Sequence, residues 1–196
     1  MTSTAARNHP PLMTVEEFIK WPGDGTGTRY ELVNGELRAQ DATTVAHGTI
    51  HTNLTILIGN HLRSNRPGCL LVVAPGVQPR LRAHWNFCIP DLGVTCSAST
   101  PKDRTLPEPV LLIEILSESN SDDTWSNIAL YATLPSVAEI LIVDSTKVAI
   151  ELLRRGADGS WPQAPQAFEA GAQVALASIG FEFPVRAIYR DTYLEE

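Results

Sequence analysis

The chain has 196 residues, 43% of them hydrophobic and 19% charged, with a formal net charge of −7 and a pI near 5.2. A chain of this size carries one sizeable core rather than two, and its composition lies far from disordered or collagen-like extremes. The acidic balance excludes a protein that grips nucleic acid through a broad basic surface, which needs clustered Lys and Arg, but it leaves room for a local basic cleft.

The short basic groupings, Arg63/Arg66, Arg80/Arg82 and Arg154/Arg155, read as solvated faces. Cys69, Cys88 and Cys96 are odd in number and show no Cys-x-x-Cys spacing, so neither a disulfide framework nor a zinc ribbon is indicated, and a reducing cytoplasm fits. No apolar run approaches the ~18 residues of a membrane span, and the N-terminus has no apolar signal core. The expectation is a cytoplasmic protein that is neither exported nor membrane-inserted.

In chain order, residues 1–12 read as a disordered arm ending in Pro10-Pro11, and residues 13–196 as a single domain. Thr14-Val15-Glu16-Glu17 is a capping-box pattern that opens a short helix ending before Pro22. Gly23-Asp24-Gly25-Thr26-Gly27 lacks the Lys-Ser/Thr ending of a phosphate loop and reads as a connector. Asn34-Gly35, between Tyr30-Glu31-Leu32-Val33 and Glu36-Leu37-Arg38-Ala39, marks a type I′ hairpin that starts the sheet. From Thr44 to Asn65 apolar residues recur at three- and four-residue spacing, the mark of a long amphipathic helix.

Extended runs follow at Cys69 to Ala74, Val77 to Leu81, Ile89 to Thr95 and Pro109 to Leu116. Val110-Leu111-Leu112-Ile113 is the most apolar of them and reads as a central strand buried on both faces. A helix over Asp122 to Leu134 and a buried strand over Ala138 to Asp144 complete a strand, helix, strand unit. Lys147 to Leu153 alternates as an edge strand, 156–165 is loop, and Phe181 to Tyr193 reads as a short helix opened by Pro184. The fold class is α/β.

The chemistry centres on two acids. Asp91 starts one predicted strand and Glu114 emerges from the buried run on another. A carboxylate leaving a buried strand is costly to ionise without a cation, a proton or hydrogen bonds. Two carboxylates from neighbouring strands suit a hard divalent ion such as Mg²⁺, which lowers the pKa of a bound water and neutralises charge on a phosphodiester. The plainer alternative is that Asp91 caps a loop and Glu114 pairs with an Arg in the core.

The succession Tyr30-Glu31-Leu32-Val33-Asn34-Gly35-Glu36-Leu37, His47-Gly48, Pro90-Asp91-Leu92, Leu112-Ile113-Glu114-Ile115-Leu116-Ser117, Tyr131 and Val137 to Asp144 resembles the Uma family of restriction-endonuclease-type proteins, from about Met13 to Asp191. The resemblance implies a restriction-endonuclease-like mixed β-sheet flanked by helices, with Asp91 and Glu114 as ligands of Mg²⁺ or Mn²⁺. Glu31 would be a supporting ligand or the orienter of a metal water. It further implies DNA as substrate and, together with apolar sheet edges, a homodimer.

One departure stands out. Relatives carry a lysine on the helix after the Glu-bearing strand, four residues before the tyrosine; counting back from Tyr131, that position is Asn127. An amide offers hydrogen bonds but no charge, so an active nuclease needs a cation from elsewhere, and the alternative is an inactive nuclease-fold binding module. Asp122 and Asp123 match the acidic position before that lysine, or simply cap the helix. His47 and His51 have zincin spacing, but Gly48 stands where that chemistry needs a Glu. His47 is thus either close to the acidic site or a cap. Trp85, Phe87 and Trp125 could stack bases, though packing is the plainer reading.

Overall fold

The structure is a computed structural model that describes residues 12–40, 42–117 and 121–195. Residues 1–11 of the expected disordered arm lie outside the described residues.

Helix α1, Val15–Lys20, opens with the expected capping box: the Thr14 hydroxyl accepts from the Glu17 amide, and the Glu17 carboxylate takes the Thr14 amide at 2.7 Å. It stops at Trp21, which Pro22 holds in extended backbone. Strands β1, Tyr30–Val33, and β2, Glu36–Ala39, pair antiparallel. Their turn places Asn34 at φ 52° and Gly35 at φ 86°, the two left-handed residues that a type I′ turn requires. This hairpin does not start the main sheet. It forms its own two-stranded sheet, touching the rest through a bridge between Leu32 and Phe87. The reason lies in its surface: only Glu31 and Leu32 are buried, while β2 is largely exposed and offers no apolar face to a sheet interior.

Helix α2, Val45–Asn65, buries Ala46, His47, Ile50, Leu54, Ile58 and Leu62, the stripe that three- and four-residue spacing predicts. The main sheet has six strands in the order β3 (Leu70–Val73), β4 (Leu92–Thr95), β5 (Pro109–Leu116), β6 (Glu139–Asp144), β7 (Ile150–Arg154) and β8 (Gln166–Phe168). Helix α3, Ser121–Tyr131, links the parallel pair β5 and β6, and the other pairs are antiparallel. β5 alternates between two cores. Leu111, Ile113 and Ile115 pack toward α2, while Leu112 packs with Ile128 and Tyr131 of α3.

Several expectations change. The predicted strand from Val77 shrinks to a bridge between Val77 and Cys88, since Pro79 has no amide for a ladder. β7 is not an edge, because β8 covers it. Near the C-terminus β9 (Gln173–Leu176) and β10 (Phe181–Pro184) form a hairpin, and the expected helix is reduced to a 3-10 turn, Val185–Ile188, after Pro184. Cys69 and Cys96 form a disulfide, against the reading of three reduced thiols. The register explains it: Leu70 faces Thr95 across β3 and β4, so the next residues out, Cys69 and Cys96, face each other. The bond removes the support that the cysteine count had lent to a reducing compartment. Among the described residues no helix is long and apolar enough to cross a membrane.

Candidate active site

Antiparallel pairing of β4 with β5 sets Leu92 opposite Ile113. The next step in that register sets Asp91 opposite Glu114, and directly opposed residues share a sheet face with Cβ atoms about 5 Å apart. Both acids line one cavity of about 640 Å³, whose wall also includes Arg29, Glu31, Arg38 and Asn127.

Asp91 is held from two sides. One carboxylate oxygen accepts the Ile115 amide at 2.7 Å, and the other lies 3.1 Å from His47 Nε2. His51 Nε2 sits 3.3 Å from the Asp91 carbonyl. The two histidines of α2 therefore position Asp91 rather than forming a zincin pair, and His47 belongs to the site as well as to the start of the helix.

Glu114 is 7% exposed, and one of its oxygens accepts the Tyr131 hydroxyl at 2.6 Å. Burial raises its pKa well above the ordinary carboxylate range, and the neighbouring Asp91 and Glu31 charges push the same way against the Tyr131 hydrogen bond. Burial likewise drives the Tyr131 phenol and the Cys88 thiol upward. Among the described residues no Arg pairs with Glu114, against the plainer alternative.

Glu31 is buried and heavily bonded. Its oxygens accept the Ile89 amide at 2.6 Å, Asn127 Nδ2 at 3.1 Å on each oxygen, and Arg38 at 2.6 Å. Arg38 also donates to Asn127 Oδ1 and, at 3.0 Å, to Asp123. Burial alone would lower the Arg38 pKa, but Glu31 and Asp123 more than offset it and hold the guanidinium charged.

Asp91, Glu114, Glu31 and Asn127 thus all reach one cavity. Arg38, Tyr131 and the orienting role of His47 escaped sequence reasoning. For Arg38 the signal was present, because a two-residue turn at Asn34-Gly35 pairs Glu31 with Arg38. The basic groupings lie elsewhere: Arg154 pairs with Glu139, and Arg155 ties down backbone carbonyls at Ala132, Leu134 and Val137. Of the aromatics, Phe87 packs against Phe18 in a small core.

Oxygen donors alone suit a hard cation, and Asp91 and Glu114 supply them from one face. Among the described residues no three His, Cys, Asp or Glu side chains form a ready cage. An ion here would rest on two carboxylates and on water, as Mg²⁺ commonly does.

A family described as "Uma2: Putative restriction endonuclease" matches residues 15–186. An uncharacterized protein of Synechocystis sp. is 30% identical over 185 residues, 92% of this chain and 93% of that protein. A crystal structure of a putative nuclease from Anabaena variabilis shares the fold with a TM-score of 0.71 at 17% identity, covering 90% of this chain and 97% of that one. The mixed sheet with its flanking helices is therefore the restriction-endonuclease-like fold, and the chain belongs to the Uma2 family.

Proposed function

We propose that the chain is a divalent-metal-dependent endonuclease that hydrolyses DNA phosphodiester bonds in the Asp91/Glu114 cleft, with Mg²⁺ or Mn²⁺ as cofactor. The carrying observation is Glu114: a buried carboxyl lining an open cavity, opposite a second carboxylate, and paired with no basic side chain among the described residues. Asp91 and Glu114 would hold the ion, and Glu31, whose oxygens are taken up by Ile89, Asn127 and Arg38, would support the site from the cavity wall. The ion supplies positive charge that activates water and neutralises the phosphodiester. His47 and the Ile115 amide hold Asp91 in place, and Tyr131 orients Glu114. Exposed Leu70 and Val73 on β3 support a second copy of the chain as partner.

Plasmid nicking with Mg²⁺ or Mn²⁺, with EDTA controls, tests this reading. Asp91→Ala is expected to lower cleavage by at least about 10²-fold, since removing one preorganised electrostatic element costs that much. Equal rates for the two proteins would overturn it. The second reading, a binding module without catalysis, draws on Asn127 in the lysine position, and would show as DNA binding with no metal-dependent cleavage.

A further inference from the structure

We propose that Arg38 of β2 carries the positive charge that the family resemblance assigns to a lysine at position 127, with Asn127 serving as its seat. The inference rests on the nuclease reading above.

Arg38 faces Glu31 across the hairpin and lines the same cavity as Asp91 and Glu114. Its side chain is 19% exposed, enough to meet a ligand while remaining fixed. Of the five guanidinium N–H donors, Glu31, Asn127 and Asp123 engage three. Among the described residues the two others, one on Nε and one on Nη1, have no partner and remain for a phosphate oxygen.

Asn127 fits this arrangement and a lysine would not. Its amide nitrogen donates to both Glu31 oxygens, while its amide oxygen accepts from Arg38. A lysine has three donors and no acceptor, so at 127 it would leave Arg38 without that partner and set two cations side by side. Arg38 and Asn127 act as one unit: β2 supplies the charge, and an amide of α3 that both donates and accepts holds it in place. Glu31 holds the cation at the cavity wall. Arg38 makes and breaks no bond; it opposes the negative charge that builds on the phosphodiester.

The rival is that Arg38 only neutralises the buried Glu31. Two readouts separate them, Mn²⁺-dependent plasmid cleavage and Mn²⁺ affinity by calorimetry. Arg38→Met is expected to lower cleavage by about 10² to 10³ without weakening Mn²⁺ binding, because a cation next to the ion has been removed. Adding Asn127→Lys to Arg38→Met is expected to recover at least about ten-fold of the loss, since that restores a charge worth the same order. Asn127→Lys alone is expected to give no gain. Should Arg38→Met fail to fold, Arg38→Gln, which keeps a hydrogen bond to Glu31 without charge, is read the same way. Cleavage unchanged in the neutral variant overturns the inference and leaves the nuclease reading standing. Parallel loss of Mn²⁺ affinity and cleavage with no rescue by lysine also overturns it, in favour of a structural Arg38. Absence of cleavage by the natural protein overturns both.

Discussion

Two buried glutamates sit on adjacent parallel strands and meet opposite fates. Glu139, at the start of β6, is 1% exposed and fully compensated. Arg154 Nε reaches it at 2.7 Å, the Ala177 and Ser178 amides at 3.1 and 2.8 Å, and the Ser178 hydroxyl at 2.5 Å. Glu114 on β5 is also buried but has the Tyr131 hydroxyl, a lesser contribution from the Asp91 main chain, and two carboxylates for neighbours. A buried acid ringed by donors and a guanidinium ties the C-terminal hairpin to the sheet. One facing other acids across a cavity is the acid to which the proposed function gives a cation.

The contrast breaks first at Glu139. Glu139→Gln is expected to cost about 3 kcal/mol, since it weakens several hydrogen bonds to a buried charge, while leaving Mn²⁺ binding unchanged. Urea unfolding and calorimetry on the same variant check both halves. A stable Glu139→Gln protein would mean that the two acids differ less than their surroundings suggest.

At Glu114 the stability effect has the other sign. The folded pKa is raised above the ordinary 4.5, so the neutral carboxyl favours folding below that pH. This contribution is lost as pH rises through the folded value. In EDTA the natural protein is therefore expected to weaken with rising pH, by up to about 1.4 kcal/mol per pH unit. Glu114→Gln, uncharged throughout, is expected to flatten that slope. Parallel slopes in pH-dependent urea unfolding would contradict a buried, uncompensated Glu114.

The smallest change sharpens the same point. Tyr131→Phe removes the hydrogen bond that favours the ionised Glu114, worth about 1 kcal/mol. The metal-free stability slope is expected to move to higher pH and Mn²⁺ affinity to fall by several-fold. A slope that stays in place would show that the hydroxyl packs without influencing the carboxyl.

Spacing alone could not separate these acids, because both Glu114 and Glu139 border apolar runs in the sequence. The residues pointed to Glu114 with Asp91 while leaving an Arg partner open, and the resemblance to a family favoured the metal reading. Long periodic elements were legible for local reasons: the Thr14/Glu17 capping box, the Asn34-Gly35 turn, the apolar stripe of α2 and the β5, α3, β6 unit. What stayed hidden depends on partners far along the chain. β7 reads as an edge because β8 is only Gln166–Phe168, too short to announce itself. The separation of the first hairpin from the main sheet shows only once Leu32 is seen packed on Phe87 and β2 is seen left largely exposed. Arg38 joins the site because the hairpin brings it to Glu31 and α3 brings Asn127 to both, a meeting that needs both elements placed.

The disulfide between Cys69 and Cys96 has a consequence for the acidic pair. It welds β3 to β4, and Asp91 directly precedes β4. In any exchange of strands between two copies, β3 could not leave β4 behind without breaking a covalent bond. The two strands would cross over as one piece carrying Asp91, and each Glu114 would then face an aspartate on loan from the other molecule.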